Sequence, residues 1–150
     1  MTQTNVTLKL ITKENEVECI NLKPREDQLQ LVASNSDSLL HAIKEKTSKP
    51  YGIYAEDTMV GFILFDSEIY SDGYYWILRF MIDENYQGRG YAKLAIKEVI
   101  NKLKDRLDCK QIRVSHVPHN IVANTLYKKA GFQDTGEVED NGDIILSYYM

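Results

Sequence analysis

Few residues in this chain can build a covalent or metal framework. Two cysteines, Cys19 and Cys109, make a poor disulfide scaffold and a poor metal site. Three prolines and eight glycines exclude collagen-like and low-complexity readings. No apolar run approaches the ~20 residues that a membrane helix needs. The opening MTQTNVTLKLITKENE lacks a basic segment followed by a long apolar core, so no secretory signal is expected. A reducing, cytoplasmic setting is the expectation, with neither a membrane nor a metal as partner. Positive charge is also short, with 18 Lys and Arg against 22 Asp and Glu and a net charge of −4. Nucleic-acid binders usually show a basic total or a basic face. The one basic-rich stretch, Lys93 to Arg106, also holds Glu98 and Asp105 and reads as the solvated face of a helix.

What is present suits one globular domain across residues 1–150. The chain is 43% hydrophobic and 27% charged, an ordinary globular balance. Its length suffices to bury roughly 68–70% of the unfolded surface.

Periodicity supplies the elements. VTLKLIT (6–12) alternates as a half-buried strand. NEVECINL reads as a short helix, REDQLQLVASN as helix running into loop, and SDSLLHAIKEK as a helix with Leu39, Leu40 and Ile43 on one side. YGIYAE and MVGFILFD flank Asp57-Thr58 as a hairpin. YYWILRFMID (74–83) is almost wholly apolar, the pattern of a strand buried on both faces. From Gly90 to Leu107 the residues Ile96, Val99, Ile100, Leu103 and Leu107 recur at helical spacing. KQIRVSHV is a further strand. NIVANTLYKKAGF is a helix stopped at Gly131, with Ile121, Val122, Leu126 and Ala130 as its apolar contacts. FQDTGEVE and DIILSYY close the chain as a hairpin around Asp140-Asn141-Gly142. The order implies an α/β domain with a mixed sheet, whose parallel centre is a right-handed crossover between 74–83 and 111–117.

The informative segment is DENYQGRGYA, where a strand hands over to a helix. A helix start offers free N–H groups and a positive dipole end. Glycines let an anion approach that backbone closely. Gln87, Gly88, Arg89, Gly90, Tyr91 and Ala92 therefore read as a pyrophosphate cradle, with Arg89 adding charge, or as an ordinary strand-to-helix turn. The segment is not a GxxxxGK[ST] loop. Nor is it a dinucleotide GxGxxG, because Lys93 stands where the third glycine would be. A second segment follows one crossover later. Asn120, Ala123 and Tyr127 are spaced i, i+3 and i+7 and share one helix face. Singly they read as a cap and a packed aromatic. Together they read as one wall of a cleft.

These two segments resemble the GCN5-related N-acetyltransferase superfamily. Gln87-Gly88-Arg89-Gly90-Tyr91-Ala92 fits the family's [Q/R]xxGx[G/A] signature at every position. Asn120, Ala123, Leu126, Tyr127, Gly131 and Phe132 match its NxxAxxLYxxxGF motif. The agreement runs from about Gln28 to the C-terminus. PYGIYAEDTMVGFILF with YYWILRFMIDENYQGRGYAK is similar to bacterial spermine/spermidine and diamine acetyltransferases.

The resemblance implies a mixed, mostly antiparallel sheet whose central parallel pair splays to admit acetyl-CoA. It implies that backbone groups of Phe80, Met81 and Ile82 bind the pantetheine and acetyl end, with the Met81 N–H polarising the carbonyl. Residues 87 to 93, Lys93 included, would hold the pyrophosphate. Asn120 and Ala123 would line the pantetheine, and Tyr127 would protonate the departing thiolate. The acceptor implied is a small-molecule amine that attacks directly, and relatives of this kind are often homodimers. A route through an acetyl-cysteine is disfavoured: Cys109 lies at the end of the long helix, away from the expected cleft, and Cys19 sits in an apolar helical setting without nearby His or basic help in the sequence.

A primary amine needs its proton removed before attack. Glu56, Asp66, Glu68 and Asp83 are candidates near the strands, and His116 and His119 are candidates near the second motif. Most exposed acids serve only solubility, and a lone His is usually structural. Tyr70, Tyr74, Tyr75 and Trp76 read as cation-facing aromatics or as packing. One departure from the polyamine pattern stands out. Where such enzymes carry an acid near the end of the strand, this chain has Leu78 and Arg79. Two other readings share the cofactor motifs: a protein or peptide N-acetyltransferase, and a non-catalytic acyl-CoA sensor.

Overall fold

A computed structural model describes residues 5–28, 34–45 and 47–150. In chain order the elements are β1 (Val6–Leu10), α1 (Glu16–Asn21), α2 (Asn35–Lys44), β2 (Ser48–Ala55), β3 (Thr58–Asp66), β4 (Tyr75–Ile82), α3 (Tyr91–Leu103), β5 (Gln111–His116), α4 (Ile121–Lys129), β6 (Gln133–Val138) and β7 (Ile144–Tyr149). Single 3₁₀ turns occupy Glu26–Gln28 and Glu84–Tyr86. The rest of the segment expected to run from helix into loop, 29–33, lies outside the described residues.

The seven strands form one sheet in the order β1-β2-β3-β4-β5-β7-β6. Every pairing is antiparallel except β4 with β5, which α3 connects. The expected mixed sheet with a central parallel pair is therefore the observed one.

Alternation along the strands divides the apolar side chains between two faces. One face packs Ile53, Ile63, Phe65, Ile77, Ile112, Val114 and Leu146 against Ala95, Ile96, Val99 and Leu103 of α3 and Tyr127 of α4. The other face packs Tyr54, Met59, Phe62, Leu64 and Met81 against Cys19 of α1 and the half-buried Leu39 and Ala42 of α2. Fully burying each large aliphatic or aromatic side chain contributes roughly 1.5–3 kcal/mol. Gly61 is required where β3 runs beside β4, since a Cβ there would stand 2.5 Å from the Met81 carbonyl oxygen.

Helix periodicity located the helices but misassigned parts of their faces. α3 ends at Leu103, and Leu107 is 93% exposed in the turn that follows. The Arg106 and Cys109 amides bond back to Leu103 and Arg106 and close that turn before another helical repeat can form. Ile121 and Val122 are also exposed. Asn120 caps α4 by accepting from the Ala123 amide, and the resulting phase turns Ala123, Leu126, Tyr127 and Ala130 inward. α2 begins one turn position earlier than its sequence suggested, with Ser34 as its cap. Asn35 is buried and donates to the Cys19 carbonyl at 2.7 Å, and this anchor leaves Leu40 and Ile43 facing solvent.

β4 departs from its expected burial as well. Tyr75 and Ile77 are buried, but Leu78, Arg79 and Phe80 are only half-buried. β5 pairs with β4 only over Tyr75–Ile77 and Ile112–Val114. Beyond Ile77 the two strands part, so the second half of β4 has no neighbour on that side.

Asp66 secures the other end of β4. The carboxylate is fully buried and accepts from Thr47 Oγ1 at 3.0 Å and from the Trp76 amide at 2.9 Å. Burial lifts its pKa to about 6 despite these bonds, with Asp72 and Glu45 adding smaller upward pushes. The folded protein therefore holds this proton more tightly than the unfolded chain. Asp66's contribution to stability is full below the unfolded value of 3.8 and is lost as pH rises to about 6. Asp66→Asn is expected to remove that loss. Unfolding free energy measured in urea should then fall less steeply between pH 4 and 6 than in wild type; identical slopes would exclude this role.

Candidate active site

The parting of β4 and β5 opens a cleft of about 720 Å³, within the range of small-molecule sites. Its walls are the free half of β4, the end of β5, the 86–93 segment, the first turns of α4, and the β6–β7 turn.

The ladder phase decides which main-chain groups of β4 face the gap. Asp83 donates to the Val60 carbonyl, and Met81 and Arg79 stand opposite Phe62 and Leu64. In an antiparallel pair such residues alternate, so the amides of Arg79, Met81 and Asp83 turn towards β3. Those of Phe80 and Ile82 face the gap. The expectation that the Met81 N–H points at a substrate carbonyl is therefore corrected, and Phe80 and Ile82 carry the gap-facing groups. The Met81 side chain still lines the cleft.

At one mouth lies the 87–93 loop. Gln87 lines the wall, with its side chain committed to the fold. Its Nε2 donates to the Ile82 carbonyl at 2.9 Å and to Gln28 Oε1 at 2.8 Å. Gly88 and Gly90 have φ of 79° and 84°, and a Cβ at either would meet nothing within 4 Å. Both thus need left-handed backbone and border open space. Among the described residues, the amides of Gly88, Arg89, Gly90, Tyr91, Ala92 and Lys93 carry no protein hydrogen bond. They converge at the start of α3, which has no acid in its first turn and no side-chain cap. This is the electrostatic form of an anion site, and the residues present fit a pyrophosphate. Arg89 does not line the cleft. It sits over the Tyr86 ring at 5.5 Å and reaches the Asn85 carbonyl at 3.4 Å. Lys93 does line it.

α4 forms the opposite wall. Asn120, Ala123 and Tyr127 all reach the cleft. Asn120 uses its Oδ1 for the cap, 3.1 Å from the Ala123 amide, and leaves its side-chain N–H₂ as a donor. Tyr127 is buried, with its ring edge-on to Phe80 at 6.5 Å and tilted against Phe132 at 5.5 Å. Burial raises its hydroxyl well above the ordinary tyrosine value, so it is a neutral donor at physiological pH.

The proton-accepting candidates separate clearly. Asp66 ends a strand, away from the cleft. Asp83 accepts from the Lys23 and Asn85 amides and caps a 3₁₀ turn. Glu56 occupies the β2–β3 turn at φ 55°, and Glu68 is exposed; neither lines the cleft. His116 does, but both ring nitrogens are engaged. Nε2 accepts from Asn124 Nδ2 at 3.0 Å, which puts the proton on Nδ1, 2.8 Å from the Val117 carbonyl. His119 is exposed outside the cleft.

The aromatics of the 70–76 segment likewise serve packing. Tyr75 donates to Asp108 and the Trp76 indole to Asp72, each at 2.7 Å, and Tyr74 lies under the Arg113 guanidinium. Both thiols are buried outside the cleft. Burial pushes Cys19 up to about 12 and raises Cys109 as well. Sequence reasoning missed Ser115, Asn141 and Asp143, which all line the cleft. Their signal was the antiparallel return of β7 along β5, which brings the 140–143 turn to the end of β5.

A sheet split at its one parallel pair, with an uncapped helix start and its unpartnered amides beside the split, defines an acyl-transfer fold of the N-acetyltransferase type. Residues 13–132 match the acetyltransferase (GNAT) family model, and the chain belongs to that family; it is an N-acetyltransferase. It is 33% identical over 147 residues to the spermine/spermidine N(1)-acetyltransferase of Bacillus subtilis (strain 168), covering 95% of this chain and 97% of that protein. A probable spermine N(1)-acetyltransferase of Bacillus subtilis subsp. natto (strain BEST195) matches over the same shares at 33%. Among solved structures, the spermidine N-acetyltransferase of Vibrio cholerae in complex with CoA and spermine superposes with a TM-score of 0.74 at 16% identity, over 97% of this chain and 95% of that one. Aminoglycoside acetyltransferase AAC(6')-Ib in complex with coenzyme A superposes with a TM-score of 0.80, also at 16% identity, over 97% and 95%. These two structures share the fold.

Gln87 is the bracket that holds the loop to β4. Gln87→Ala is expected to lower stability by on the order of 1–2 kcal/mol, because the Ile82 carbonyl loses its partner. Urea unfolding measures this, and an unchanged midpoint would show that the loop holds itself.

Proposed function

We propose that this protein transfers the acetyl group of acetyl-CoA to a primary amine of a small diamine or polyamine, by direct attack. The observation that carries this reading is the cleft between β4 and β5, with the unpartnered amides of 88–93 at one mouth. The polyamine substrates named for the Bacillus relatives at 33% identity support the acceptor class.

In this reading acetyl-CoA is the co-substrate and supplies an activated thioester. The 88–93 amides and Lys93 would hold its pyrophosphate. Gap-facing groups of Phe80 and Ile82, with Asn120 and Ala123, would hold the pantetheine arm. The amine nitrogen must be neutral to attack. An alkylamine with a pKa near ~10 is neutral in only about one molecule in 10³ at pH 7, a cost of roughly 4 kcal/mol. The leaving thiolate takes its proton from Tyr127, whose hydroxyl burial keeps protonated. Donation from a positioned acid of this kind typically contributes roughly 10²–10⁴-fold.

Thiol release from acetyl-CoA, measured with putrescine, spermidine, spermine, amino acids and a lysine peptide, tests the function. Release above the no-acceptor rate with the polyamines is expected. Release only with the peptide would reassign the acceptor, and none with any amine would favour an acyl-CoA sensor. Tyr127→Phe should lower kcat by roughly 10²-fold or more, with the KM for acetyl-CoA little changed; equal kcat would place the proton donor elsewhere. Gly90→Val should abolish coenzyme A binding in calorimetry. Its side chain enters the cradle at a φ of 84°, so a normal isotherm would refute the pyrophosphate site.

A further inference from the structure

The cleft passes through the sheet, and its two mouths differ in charge. On the face covered by α3 and α4 it meets the amide-lined loop, Phe80 and Tyr127. The opposite mouth follows from the register. Arg79 pairs with Leu64 and Met81 with Phe62, and Leu64, Phe62 and Met81 belong to the cluster under α1 and α2. Arg79 therefore points to that second face. On the other wall, Ile144, Leu146 and Tyr148 pack on the α3/α4 face. Alternation then puts Ile145 on the second face, and Asp143, which leads into β7, lines the cleft beside it. Ser115, opposite Ile145, joins them.

Asp143 is the only Asp or Glu among the described residues lining the cleft. Its backbone is fixed by the turn. Its amide donates to Asn141 Oδ1 at 3.0 Å, and its carbonyl accepts from the Glu139 amide at 2.9 Å. Among the described residues its carboxylate has no hydrogen bond and no ion pair. A rigid backbone thus presents a half-buried, unpartnered carboxylate. Across the cleft stands Arg79, whose Nη1 donates to the Leu78 carbonyl at 2.7 Å and whose buried Nε has no partner. A cation entering this mouth is repelled by the β4 wall and drawn to the β7 wall.

We propose that Asp143 binds the second, non-reacting ammonium of the acceptor, and so selects diamines over monoamines. This assignment builds on the acetyl-transfer reading above. The reacting nitrogen enters the gap between β4 and β5, where the Phe80 and Ile82 main-chain groups lie. The rest of the acceptor trails back to the second face. Asp143, at the rim where the turn enters β7, is placed to take a charge one short alkyl spacer away. This also accounts for an amine site without an acid on β4, since the carboxylate comes from the closing hairpin instead.

The test is the ratio of kcat/KM for 1,4-diaminobutane to that for butylamine. Wild type should prefer the diamine. Asp143→Asn should cut that preference roughly tenfold, mostly through the KM for the diamine, as loss of a charge-assisted contact predicts. Asp143→Glu should restore part of it. Thermal melting checks that each variant is folded, and the free carboxylate predicts unchanged melting. A preserved ratio in folded Asp143→Asn overturns the proposal, as does an equal loss with both amines. If wild type releases no thiol with any amine, the acetyl-transfer reading fails. Calorimetry of 1,4-diaminobutane against the coenzyme A complex then decides separately, and equal affinity in wild type and Asp143→Asn overturns the role of Asp143.

Discussion

The early parting of β4 from β5 is the constraint on which the rest depends. A parallel pair that stayed zipped would satisfy its main-chain groups and seal the sheet. Here the ladder stops at Ile77 and Val114, and the chain meets the consequences one by one. Gln87 folds back to satisfy the Ile82 carbonyl. Asn124 and the Val117 carbonyl occupy His116 at the end of β5. Phe80 and Tyr127 cover the gap from one side. What stays open is the set of polar groups that a linear thioester-bearing ligand can use. The cleft is thus a break in a sheet whose surroundings are well packed.

Much of this was legible in the sequence, for definite reasons. The two motifs could be read because their chemistry is backbone chemistry: glycines at positive φ and a helix start mark positions that few other residues tolerate. Strand order followed from alternation and from turn residues such as Asp140-Asn141-Gly142. Helix faces were less readable. In α4 the phase is set by the Asn120 cap, so Ile121 and Val122 face water despite their apolar character. In α2 a buried Asn35 outweighs Leu40 and Ile43. The direction of the Met81 amide could not be read either, because it depends on which residue of β3 stands opposite.

The acids show the same division. Asp66 and Asp83 looked like candidates by proximity along the chain, and each proved to be a ligand for main-chain amides. Asp143, read only as the start of the closing strand, reaches the cleft only because β7 returns along β5. Charge in the cleft is set by such returns more than by the net −4 of the chain. The loop mouth gathers unpartnered amides and Lys93, while the second mouth opposes one carboxylate to one guanidinium. Complementarity of this kind governs orientation and selectivity more than raw affinity.

The two cysteines, finally, bear on how the reaction can be watched. Acetyl transfer liberates a thiol, and disulfide reagents that report thiols react with the thiolate form. Burial holds Cys19 at about 12 and raises Cys109, so neither offers an accessible thiolate near neutrality. Both thiols are therefore slow to react with such reagents while the protein is folded. Colour development in a continuous assay therefore follows the thiol of coenzyme A, and a signal from the protein itself grows as molecules unfold and expose Cys19 and Cys109.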